Sequence, residues 1–244
     1  MPKFLYIADS GILQFAPYNV WDSEHLSIVG STTTALDYNN VGAKYDLANL
    51  TAGGQPTFNA ANFNGFPSLA FDGVGNYLHN GVSEWRGADS SGFLVNIVRM
   101  TSQIGAMGIL YTSQASSGSR YLGAENLTGN SRIRIRNSTF NTITSSTTTI
   151  LDNTPYVLSS RSNASDYKLW IDSTVQSSTV VGSNDGNWMD SVVSRDNITL
   201  GSRVRSNNPE LFLTADWVFT GYFPYISDAR CEEIITFLTD YYSI

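Results

Sequence analysis

Apolar and polar residues alternate along most of this chain in short runs broken by glycine, asparagine and aspartate. A period of two, bounded by turn formers, predicts β-strands. Candidate strands are Ser68–Phe71, Tyr77–Leu78, Gly92–Arg99, Gly108–Thr112, Tyr121–Gly123, Arg132–Arg136, Thr142–Thr144, Tyr156–Ser160, Tyr167–Asp172, Ser178–Val181, Ile198–Leu200 and Leu211–Tyr225. The pairs Asn64-Gly65, Asp72-Gly73, Asn80-Gly81 and Asp185-Gly186 supply turns between them. About a dozen short strands with no helix between them predict an antiparallel sandwich or barrel. The period changes once, near the end. From Asp228 to Tyr242 the residues Cys231, Ile234, Ile235, Leu238 and Tyr242 recur at helical spacing, a stripe that must be buried. Ser227 or Asp228 can cap this helix, and Asp228, Glu232 and Glu233 suit the positive end of its dipole. We expect the helix beneath one edge of the sandwich, near Trp217–Tyr225.

Residues 1–30 read as an N-terminal arm or assembly segment, with a short strand at Met1–Ile7, and residues 31–244 read as one domain. That length suits a single all-β unit. Composition narrows the class. Only 14% of residues are charged while Ser, Thr, Asn and Gly abound, which fits a turn-rich β protein, and 41% apolar with 12% aromatic residues argues against disorder. A net charge of −7 argues against general affinity for nucleic acid. Cys231 is the single cysteine, so no intrachain disulfide framework exists. The first residues are too short and too polar for a signal peptide, and no apolar run is long enough for membrane insertion.

Two segments resemble one family. Gln55-Pro-Thr-Phe58, Asn64-Gly-Phe-Pro-Ser-Leu-Ala-Phe-Asp-Gly73 and Asn76-Tyr-Leu78 are similar to the opening strands of laminin-G-like, concanavalin A-like lectin/glucanase domains. Leu200-Gly-Ser202, then Phe219-Thr-Gly-Tyr-Phe-Pro-Tyr-Ile-Ser-Asp-Ala-Arg230 and Ile235–Tyr242 look like the family's closing strands and helix, and Tyr156–Leu158 with Tyr167–Asp172 resembles its central hairpin. The resemblance spans roughly residues 40–244. It implies an antiparallel jelly-roll β-sandwich with one C-terminal amphipathic helix. Such domains are frequent in bacteriophage virion proteins, and with no export signal that setting is the expected one: a tail or head fibre or a decoration component, homo-oligomeric, meeting other virion proteins and host-surface glycans. A purely structural capsid or tail subunit is the alternative, and a glycan-degrading enzyme a third.

Retaining glycosidases need two carboxylates about 5 Å apart. Enzymes of the resembling superfamily carry Glu-x-Asp-x-Glu on one strand, and none of Glu24, Glu84, Glu125, Glu210, Glu232 and Glu233 sits in such a run. His25 and His79 lie in no hydrolase or zinc motif. The expectation is therefore a binding protein without catalytic residues. Arg132-Ile-Arg-Ile-Arg136 puts three guanidinium groups on one face of a strand and two isoleucines on the other. Arginine forks suit carboxylates, sulfates and phosphates, so Arg132, Arg134 and Arg136 are candidates for an acidic glycan, a neighbouring subunit or plain solvent. Trp85 and Trp188, in turn-rich segments, and Tyr121 are candidate sugar platforms, whereas Trp170 and Trp217 read as core. Asp185 and Asp190 concentrate oxygens that a Ca2+ ion could use, with Asp72 a further loop carboxylate; turns making their own hydrogen bonds are the competing reading.

Overall fold

The computed structural model describes residues 19–22, 26–29, 32–35, 47–48, 54–223 and 226–244. In chain order the strands are β1 (Asn19–Asp22), β2 (Leu26–Val29), β3 (Thr32–Ala35), β4 (Leu47–Ala48), β5 (Thr57–Phe63), β6 (Phe66–Asp72), β7 (Leu78–Asn80), β8 (Gly92–Met100), β9 (Ala106–Ser113) and β10 (Tyr121–Leu127). They continue as β11 (Asn130–Arg136), β12 (Asn141–Thr149), β13 (Pro155–Ser162), β14 (Tyr167–Ile171), β15 (Thr174–Val175), β16 (Ser178–Val181), β17 (Asn197–Leu200), β18 (Arg203–Arg205), β19 (Asn208–Glu210) and β20 (Thr214–Phe223), and the chain closes with helix α1 (Asp228–Tyr241).

The first sheet runs β15-β14-β13-β8-β20-β6-β5, with β1 added along the second half of β20. The second runs β16-β12-β11-β10-β9-β17-β7-β4-β3-β2, and β18–β19 form a separate hairpin. Of the arm expected over residues 1–30, 19–22 pair with β20 in the first sheet and 26–29 with β3 in the second; residues 1–18, including the strand expected at Met1–Ile7, lie outside the described residues.

Two apolar layers hold this together. Leu94, Val98 and Met100 of β8 meet Leu110, Leu122, Ile133, Ile135 and Ile198 of the second sheet in the sandwich core. Phe93, Val95 and Ile97 of the same strand point the other way, into a second core with Val157, Trp170, Val218 and the helix residues Cys231, Ile234, Ile235 and Leu238. This explains the nearly unbroken apolar run of β8, a strand buried on both faces. The stripe on α1 is therefore buried against β20, as expected, but not beneath an edge of the sandwich. It covers the middle of the first sheet's outer face, because β8, β13 and β20 present an apolar surface there that an edge does not offer. Ser227 accepts the Arg230 amide at 3.4 Å as the helix cap, and Asp228 binds Arg161 at 2.7 Å and Lys168 at 2.7 Å. Cys231 is fully buried, and burial pushes its thiol up to about 12, an unreactive core residue. No helix among the described residues is long and apolar enough to cross a membrane.

With one outer face of the sandwich covered by α1, the outer face of the second sheet is the broad surface left for chemistry.

Candidate functional site

Register brings the site together. Arg134 on β11 lies opposite Gly123 on β10, which lies opposite Tyr111 on β9. One rung away Arg136, Tyr121 and Ser113 are aligned, and on the other side Arg132 faces Glu125. Ile133 and Ile135, between the arginines, are buried in the sandwich core, so the alternation of 132–136 places all three arginines on the outer face. Gly123 is needed where it stands. A Cβ there would lie 2.4 Å from Cδ1 of Tyr111, so the bare backbone is what lets the Tyr111 ring lie across β10 and reach Glu125.

Glu125 is the centre of the cluster. Its carboxylate is fully buried, accepts the Tyr111 hydroxyl and the Arg132 guanidinium, and has Nη1 of Arg134 at 3.9 Å. A carboxylate out of water is tolerated only when paired and hydrogen-bonded in this way. Burial first, and the negative charge of Glu125 second, push the Tyr111 hydroxyl well above its ordinary value, so it stays a proton donor.

The β18–β19 hairpin folds over this face. Ser113 Oγ donates to the Val204 carbonyl at 2.7 Å, and the Asn207 amide donates to the Ala115 carbonyl at 2.7 Å. Arg203 is thereby stacked on Tyr121, with its guanidinium carbon 4.3 Å from the ring centre and 5.5 Å from that of Tyr111; Arg134 stands 5.5 Å from Tyr121. Glu210 holds Arg203 at 2.8 Å and Arg205 at 2.7 Å. Four arginines and two tyrosines thus gather around two glutamates, a positive area on a chain of net charge −7. Several donors stay unused. Among the described residues the Tyr121 hydroxyl, Nε of Arg132, Nε of Arg134 and Nη1 of Arg203 are buried with no hydrogen-bond partner. Each such group costs about 1–3 kcal/mol in the folded protein.

The other sequence candidates fall elsewhere. Trp85 and Trp188 are almost completely buried, which corrects the expectation that aromatics in turn-rich segments stand exposed. Their segments curl inward over the end of the sandwich: Trp188 Nε1 donates to the Tyr222 hydroxyl at 3.1 Å, and Trp85 packs edge-on against Tyr222 at 5.2 Å. Arg195 stitches the two segments, donating to the carbonyls of Trp85 at 2.8 Å and Met189 at 2.9 Å. Tyr121 is also fully buried, but beneath Arg203 and beside Arg134, within the cluster. Asp185 accepts Ser183 Oγ at 2.5 Å and the Asn187 amide at 3.3 Å, and Asp190 accepts Ser191 Oγ at 3.1 Å. Asp72 accepts the amides of Val74, Gly75 and Asn76 at 2.9, 3.0 and 3.1 Å, and these bonds outweigh its partial burial to hold its carboxyl below the ordinary value. These aspartates serve their own turns, and no group of three or more His, Cys, Asp or Glu side chains converges on a metal position among the described residues.

Tyr111, Glu125, Arg203, Arg205 and Glu210 were not singled out in the sequence. A signal existed for two of them, since Arg203-Val-Arg205 repeats the alternation of 132–136.

No protein-family model matches the chain, and no curated protein sequence matches it. Solved structures do. The CBM40 module of Ruminococcus gnavus IT-sialidase, determined bound to α2,3-sialyllactose, superposes with a TM-score of 0.58 at 13% identity, covering 69% of this chain and 95% of that one. The NanB sialidase of Streptococcus pneumoniae gives 0.56 at 15% identity, over 68% of this chain and 27% of that one. Trypanosoma rangeli sialidase gives 0.60 at 13% identity, over 91% and 32%. At these identities the likeness is one of fold. The chain adopts an antiparallel jelly-roll β-sandwich closed by a C-terminal helix, as the sequence resemblance implied.

Proposed function

We propose that this protein is a non-catalytic glycan-binding module that takes an acidic sugar on the outer face of its second sheet, around Arg134 and Tyr121. The observation that carries this reading is the set of buried, unpartnered donors converging on Tyr121: its own hydroxyl, Nε of Arg134 and Nη1 of Arg203. A carboxylate is the acceptor that suits guanidinium forks best, because it takes two parallel charged hydrogen bonds. Sialic and uronic acids carry such a group on a pyranose, and the R. gnavus module of the same fold was determined with a sialylated sugar. Glu125 and Glu210 are both neutralised by arginine, an arrangement suited to holding cations in place rather than to moving protons. In a virion fibre or decoration protein, such a module would attach the particle to host-surface glycans. A purely structural role would use instead the exposed edge strand β16, where Val181 is 60% exposed, and would leave the buried donors without purpose.

The test is a glycan array carrying sialylated and uronic-acid sugars beside their neutral counterparts. Retention of acidic glycans alone supports the reading. Equal retention of neutral and acidic glycans, or retention of none by folded protein, overturns it.

A further inference from the structure

A second hollow adjoins the arginine cluster on the far side of the same hairpin. Residues alternate across β18–β19: Arg203 pairs with Glu210 toward the tyrosines, while the intervening pair, Val204 and Pro209, turns toward a cavity of about 390 Å3. Tyr77, His79, Asp196 and Asn207 complete its wall. Its size is that of a small-ligand site. His79 lies on the same rung as Tyr111, two strands away through Thr199, so roughly 10 Å separates the hollow from the arginine face.

From these residues we infer a second saccharide site, for an uncharged pyranose; it extends, and rests on, the glycan-binding reading above. The rings of Tyr77 and His79 lie with their centres 5.5 Å apart, tilted 35° to one another, and offer an aromatic surface, the kind that meets the C–H face of a sugar. Polar groups flank it with capacity to spare. Asp196 uses one oxygen, Oδ1, to accept the Ala115 amide at 2.7 Å and Nδ2 of Asn197 at 3.0 Å, leaving Oδ2 without a partner among the described residues. The side-chain amide of Asn207 likewise makes no hydrogen bond among the described residues, although its backbone is fixed by Ala115. One free carboxylate oxygen and one free amide beside two rings are what neighbouring sugar hydroxyls require. Charge selects against an acid here. Asp196 repels one, and partial desolvation lowers the His79 imidazole from its ordinary value, which disfavours its cationic form.

Titration with lactose, and with galactose and glucose, read by NMR on the imidazole of His79, tests this. The chain has two histidines, so a His79→Gln variant assigns the signal. Millimolar lactose is expected to shift the His79 resonances in wild type. Asn207→Gly, which keeps the left-handed backbone that Asn207 adopts at φ 60°, is expected to weaken the response about 3–10-fold. The inference is overturned if no neutral sugar moves His79, or if Asn207→Gly leaves the response unchanged. Failure of the arginine site shows itself separately, as sialyllactose binding no more tightly than lactose while His79 still responds.

Discussion

Glu125 decides how firmly the proposed binding face is built. It neutralises Arg132 inside the protein, so Glu125→Gln leaves a buried guanidinium without its counter-charge. We expect a loss of about 3 kcal/mol, roughly 6–12 °C in Tm for a domain of this size, read by thermal unfolding. An unchanged Tm would show that the pair is solvated. Tyr121 separates binding from folding. Its hydroxyl is buried with no partner among the described residues, so Tyr121→Phe should leave stability undiminished and raise it by up to about 1–3 kcal/mol. The same change should raise the Kd for an acidic sugar about 2–10-fold. Loss of stability without loss of affinity would assign Tyr121 to packing alone. At this scale the sequence exposes alternation but not register. The facing of Arg132, Arg134 and Arg136 follows from a period of two, whereas the meeting of Tyr111, Glu125 and Arg134 depends on which residues pair across β9, β10 and β11. Trp85 and Trp188 misled because turn-rich composition says where the backbone bends, not whether the bend closes over the core.

Two elements frame the function, α1 and the β18–β19 hairpin. The helix is fastened at its first turn by Asp228, whose carboxyl is held below its ordinary value: burial alone would raise it, and hydrogen bonds from Lys168 and Arg161 outweigh that. The folded value lies below the unfolded one near 3.8, so the contribution is complete above that pH and is lost as pH falls through the folded value. Asp228→Asn should therefore lower Tm at pH 7, and the difference from wild type should vanish in strong acid. Solvent screens a side chain that is 37% exposed, so the loss is held to about 1 kcal/mol, or ~2–4 °C. A difference that persists undiminished as pH falls well below 3.8 would contradict the pairing. The helix itself was legible, because a period of 3.6 after a long stretch of twos is unmistakable; its seat was not, since the doubly apolar β8 reads equally well as a strand buried in any middle layer. The hairpin was missed for a local reason. Its two-residue loop, Ser206-Asn207, has φ of 51° and 60° and makes the tight turn without the Asn-Gly or Asp-Gly pair that announces one.

For the molecule as a whole, the fold assigns its two outer faces different work. One is sealed by the helix, and the other carries the basic cluster on an otherwise acidic chain. Identity of 11–15% to the sialidases and their module conveys the scaffold, so the functional claim rests on the chemistry around Tyr121. The most direct measurement is calorimetric titration of wild type and Arg134→Ala with sialyllactose, with lactose as the uncharged control. Wild type is expected to bind sialyllactose at least tenfold more tightly than lactose. Arg134→Ala, still folded by its melting curve, is expected to lose roughly 10–100-fold of that affinity, the loss of one charged hydrogen-bonding partner. Sialyllactose affinity unchanged in Arg134→Ala would contradict the account.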